Sequence, residues 1–95
     1  MKSYVIAAET ISDAAMFGEY RKLVTSTIEQ FGGRVIVRGG KFSLMEGDWP
    51  HRRVAIIEFP SREAAEGWYQ SPEYQRIIPR RKNSTAGVLV IVDGA

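Results

Sequence analysis

Apolar positions along this chain fall into two patterns. Some run together or alternate in short extended stretches; others recur at spacings of three and four. Lys2 to Glu9 is rich in β-formers and predicts a strand. Asp13 is a good helix cap. Behind it Phe17, Tyr20, Val24, Ile28 and Phe31 form one apolar stripe, with Arg21, Lys22, Ser26, Glu29 and Gln30 on the opposite face. Gly32-Gly33 closes that helix. Arg34 to Arg38 predicts a second strand, Gly39-Gly40 a bend, and Lys41 to Met45 a further extended piece before the turn residues Glu46 to Pro50. Arg53 to Phe59 is the third strand. Ser61 caps a helix through Gln70, and Ser71-Pro72 restarts a short one that Pro79 is expected to stop. Arg80 to Ser84 reads as a polar loop, and Ala86 to Asp93 as the last strand.

The order β-α-β-β-α-β is the ferredoxin-like α+β arrangement: a four-stranded antiparallel sheet with the helices on one face. Residues 1–95 read as a single domain. A sheet covered on one side should alternate apolar and polar positions, and these strands do not. Val88, Val90 and Val92 point one way and Leu89 and Ile91 the other; Val54 and Ile56 oppose Ala55, Ile57 and Phe59; Tyr4 and Ile6 oppose Val5 and Ala7. The uncovered apolar face predicts a homodimer, with a second copy of the sheet as its partner.

With 44% apolar and 25% charged residues the chain has the profile of a globular protein. It contains no cysteine, which removes disulfides, thiolate metal sites and cysteine nucleophiles and fits a reducing, cytoplasmic setting. No apolar run reaches membrane length. The net charge of +2 gathers only at Arg52-Arg53 and Arg80-Arg81-Lys82, without a basic stripe, which weighs against nucleic acid as a partner.

Arg38 and Glu58 stand out as charges in otherwise apolar, adjacent strands. If their faces coincide they form a half-buried pair, able either to anchor a small carboxylate or carbonyl ligand or to fix the dimer register. Tyr4, Tyr20, Tyr69 and Tyr74 are candidates to line an apolar cleft, although such aromatics serve equally as core with hydrogen bonds at the rim, as expected for Trp68. His51, the sole histidine, stands in a loop without a second ligand at metal-binding spacing; a solvated residue is the plainer reading, a lone acid-base group the other. Neither glycine pair has the strand-to-helix context of a phosphate loop. No metal site and no cofactor is expected.

Several motifs occur together in one order: Asp13, Tyr20, Gly32-Gly33, Arg38-Gly39-Gly40, Glu46-Gly47, Arg53-Val54, Ile57 to Ser61, Trp68-Tyr69, Ser71-Pro72 and Tyr74. This set resembles the bacterial family catalogued as domain of unknown function thirteen-thirty over nearly the whole chain. Many members of that family carry proline after the capping aspartate, where this chain has Ala14. The resemblance implies the dimeric α/β-barrel superfamily, whose members include cofactor-free monooxygenases, lactone isomerases and stress-response proteins. It therefore implies a dimer, no established activity, and two open readings. One is a small-molecule cleft between sheet and helices with cofactor-free isomerase or oxygenase-like chemistry; the other is a non-enzymatic interaction or stress-response protein.

Overall fold

The computed structural model describes all residues, Met1–Ala95. Strands β1 (Ser3–Ile11), β2 (Arg34–Arg38), β3 (Arg53–Phe59) and β4 (Thr85–Asp93) form one antiparallel sheet in the order β2-β3-β1-β4. Helices α1 (Ala14–Glu29), α2 (Arg62–Gln70) and α3 (Pro72–Lys82) pack on one face of it. The ferredoxin-like order read from the sequence is the order observed.

Local chemistry sets the helix ends. The Asp13 carboxylate accepts the Met16 N–H at 3.0 Å, and the Ser61 hydroxyl accepts that of Ala64 at 3.0 Å. Behind α1, Gly32 adopts a φ of 75°, and the Gly33 N–H reaches back to the Ile28 carbonyl at 3.1 Å, a Schellman closure. Ser71 serves two helices. Its hydroxyl donates to the Trp68 carbonyl at 2.7 Å, ending α2, and accepts the Tyr74 N–H at 3.1 Å, starting α3.

The core lies between the helices and the helix-facing side of the sheet. Trp68, Phe59, Tyr74, Val5 and Ile28 are fully or almost fully buried there. The Trp68 ring lies 4.0 Å from that of Tyr74 and 5.5 Å from that of Phe59. Its indole N–H donates to the Thr27 hydroxyl at 3.0 Å, so no polar atom of the tryptophan is stranded.

Three features depart from the pattern-based reading. Residues 41–45 form no strand; they belong to a long connection between β2 and β3 that exposes Phe42, Leu44, Met45 and Trp49. Proline does not stop α3, which continues through Pro79 to Lys82, so Arg80 and Arg81 are helical. A proline forfeits one backbone bond and crowds the preceding turn. Here burial of Ile77, Ile78 and Arg81 outweighs that cost. The helix end is tied down as well: Asn83 N–H donates to the Pro79 carbonyl at 2.9 Å, and the Thr85 hydroxyl to that of Arg81 at 2.8 Å. Finally, β2 carries a bulge at Ile36. Arg34 and Val35 pair with Glu58 and Ile57, but Val37 and Arg38 pair with Ile56 and Ala55.

Pro79 is exposed within the helix, and Pro79→Ala restores a donor toward the Gln75 carbonyl. After allowing for the freer unfolded chain, stability in urea should rise by about 2 kcal/mol.

Candidate functional site

The bulge decides which charges meet. Simple alternation puts Arg38 on the face of Glu58; one extra residue at Ile36 reverses the parity downstream. The proposed Arg38–Glu58 pair therefore does not form. Glu58 lies on the open face, where Lys2 Nζ (3.2 Å) and Arg34 Nε (3.3 Å) reach its Oε1 and the Tyr4 hydroxyl donates to its Oε2 at 3.4 Å. Arg38 points the other way, into a cavity between sheet and helices.

That cavity has a volume of about 60 Å³. One water needs roughly 10–15 Å³ on this measure, so there is room for several non-hydrogen atoms. Eleven of its sixteen lining residues are hydrophobic, among them Val24, Ile28, Val35 and Leu89. The polar side chains are strongly biased in sign: the guanidinium groups of Arg21, Arg38, Arg53 and Arg81 against the single carboxylate of Glu9.

Glu9 shares its face of β1 with Val5 and Ala7 and is 2% exposed. Its Oε1 accepts from Arg53 Nη1 on β3 at 3.3 Å and its Oε2 from Arg81 Nη1 on α3 at 3.4 Å. Buried charge is tolerable only when paired, and here one carboxylate serves two cations. Arg81 extends the network. Its Nε donates to the Tyr74 hydroxyl at 3.2 Å, which is 2.9 Å from the hydroxyl of Tyr20 at the cavity wall. Burial, more than any neighbouring charge, pushes both phenols above the usual tyrosine range, Tyr20 most strongly, so both are neutral. Arg21 and Arg53 also lie 5.3 and 5.0 Å from the Phe17 ring centre, at cation–π range. Arg38 has neither an ion pair nor a side-chain hydrogen bond.

Of the residues singled out in the sequence, Arg38 and Tyr20 line this cavity and Tyr74 stands directly behind it. Tyr69 packs against Trp68 and Tyr74 outside the lining. Tyr4 and Glu58 occupy the opposite face. His51 is half-buried, its ring edge-on to Trp49 at 5.0 Å, away from the cavity. Glu9, Arg53 and Arg81 were missed. The available signal was parity: Glu9 follows Val5 and Ala7 at a spacing of two, on the side that must be buried. No group of histidine and carboxylate side chains is arranged to hold a metal ion, and no helix is long and apolar enough to cross a membrane.

The sequence profile of the family described as "Domain of unknown function (DUF1330)" matches residues 2–95. No curated protein matches by sequence. Among solved structures, a protein of unknown function from Rhodopseudomonas palustris superimposes with a TM-score of 0.80 at 20% identity, over 99% of this chain and 82% of that one. SnoaB from Streptomyces nogalater, described as a cofactor-independent oxygenase, gives 0.64 at 7% identity over 99% and 93%. A dimeric protein of unknown function with a ferredoxin-like fold from Bacteroides fragilis gives 0.55 at 10% over 98% and 95%. At these identities the likeness is one of fold.

Two measurements test this electrostatic picture. Glu9→Gln leaves two buried guanidinium groups without their counter-charge and should cost about 3–5 kcal/mol in urea unfolding. For Glu58, the Lys2 hydrogen bond, aided by Arg34 and against partial desolvation, holds the carboxyl below its usual range. Its contribution is complete above the unfolded value of about 4.3 and is lost as pH falls through the lower folded value. Glu58→Gln should therefore flatten the decline of Tm on acidification from about pH 5 downward.

Proposed function

The chain belongs to the DUF1330 family, and we propose that it is a cytoplasmic homodimer, joined through its open sheet face, whose subunits each bind a small organic molecule in the cavity between sheet and helices. The observation that carries the ligand reading is the cavity itself, an apolar chamber with four guanidinium groups and one carboxylate in its walls. The buried part of that charge, Glu9 with Arg53 and Arg81, is not needed for stability, since paired buried ions rarely improve on a packed apolar core, and Arg21 and Arg38 add charge from exposed positions. Convergent polar groups in an apolar pocket are what orient a small ligand.

The dimer reading rests on the other face. Val88, Val90 and Val92 are 52, 48 and 45% exposed in adjacent register with Ile6 and Tyr4, and Ile36 is exposed on the opposite edge strand, β2. A contiguous apolar patch of this kind suits a two-fold contact between identical sheets, and the Bacteroides fragilis relative by fold is described as dimeric. If the cavity supports a reaction, proton transfer, isomerisation or oxygenation of a small carbonyl compound without a cofactor is the class that suits neutral phenols and fixed cations. SnoaB, alike in fold, is described as a cofactor-independent oxygenase. A purely structural dimer is the second reading. It is favoured by the Lys2–Glu58–Arg34 cluster, which lies on the open face rather than in the cavity and is placed to set the register of two sheets.

Native mass spectrometry of freshly purified protein tests both parts. A dimer is expected, with Val90→Asp shifting it to monomer, and a co-purifying mass on the wild type would identify the cavity's occupant. A wild-type monomer at micromolar concentration would remove the dimer.

A further inference from the structure

The phenol pair behind the cavity has a direction. The Tyr74 hydroxyl already accepts the Arg81 Nε–H at 3.2 Å and has one proton of its own to place. If Tyr20 donated to it, Tyr74 would accept twice and its own proton would be left without a partner on a fully buried residue, an outcome that buried polar groups avoid. With Tyr74 donating to Tyr20, every group behind the wall is satisfied, and the one uncommitted proton is that of Tyr20, on the cavity surface. Arg81, held by the accepting Glu9 carboxylate, donates to Tyr74 and Tyr74 to Tyr20, a chain of donors that ends at the ligand space. Arg38, unpaired, faces the same space from β2.

Building on the cavity reading above, we infer that the ligand is a small organic anion, a carboxylate or enolate on an apolar body, whose oxygen accepts a hydrogen bond from the Tyr20 hydroxyl while the Arg38 guanidinium supplies the counter-charge. Three features set this class. Four cations against one carboxylate leave an excess of positive charge in the wall that a neutral ligand would not use. The predominantly hydrophobic lining disfavours a strongly hydrated ion such as inorganic phosphate. The volume of about 60 Å³ suits a body of roughly four to six non-hydrogen atoms. Tyr20, kept neutral by burial, remains a donor throughout the accessible pH range.

The test is an NMR titration of the full-length protein at neutral pH with isobutyrate, with isobutyramide of the same shape but no charge, and with inorganic phosphate. Isobutyrate should perturb cavity amides and bind about tenfold more tightly than the amide. Arg38→Gln, which removes an exposed and unpaired group and so leaves the fold intact, should weaken isobutyrate about tenfold. Tyr20→Phe should weaken it about fivefold. Equal binding of isobutyrate and isobutyramide would overturn the anion assignment and leave the cavity reading standing. Phosphate binding as tightly as isobutyrate would overturn the apolar body. Undiminished isobutyrate affinity in Arg38→Gln would remove Arg38 from the site. No perturbation by any probe at millimolar concentration would bring down the anion and cavity readings together.

Discussion

One carboxylate, that of Glu9, holds together the parts of this molecule that the rest relies on. It projects from the middle of the sheet into a region otherwise reserved for apolar side chains, and it binds a guanidinium from β3 and another from α3. A buried charge of this kind is costly unless its geometry is fixed, so Arg53 and Arg81 are positioned as much by Glu9 as by their own elements. The position of Arg81 in turn sets the Tyr74 hydroxyl, and through it that of Tyr20. The interior is thus organised from a polar axis outward. The aromatic cluster of Trp68, Phe59 and Tyr74 packs beside that axis.

Most of the architecture was legible in the chain. The stripe from Phe17 to Phe31, the cap at Ser61 and the Ser71-Pro72 restart each lie where three-to-four spacing and capping chemistry put them. These signals are local, so a single sequence carries them. What escaped was decided by partners distant in the chain. Pro79 reads as a stop because proline weakens a helix locally, but its neighbours are anchored to β1 and the core from the far side of the molecule. The bulge at Ile36 has no signature in the strand's composition, yet it separates Arg38 from Glu58 and joins Arg38 to the cavity. Burial of Arg81 was concealed by its place in a basic run, Arg80-Arg81-Lys82, where only the middle residue turns inward.

The two faces of the sheet divide their labour by charge. On the helix side, cations outnumber the one carboxylate, and the two paired with it, Arg53 and Arg81, are largely enclosed. On the open side, Glu58 draws Lys2, Arg34 and Tyr4 into a single cluster at one end of a valine-rich surface. Continuous apolar strands, which look redundant for a sheet of this size, are what two differently used faces require. The same alternation that buries Val5, Ala7 and Glu9 toward the helices displays Tyr4 and Ile6 toward the other side.

The bulge in β2 has an evolutionary corollary. Its additional residue sits outside the ladder, and the pairings on either side of it, Val35 with Ile57 and Val37 with Ile56, are consecutive on β3. A lineage that lost Ile36 would simply straighten the strand and keep every inward and outward assignment, whereas one that lost a residue from the bulge-free β3 would invert half of them. The edge strand is therefore able to lose that one residue without turning Arg38 away from the chamber.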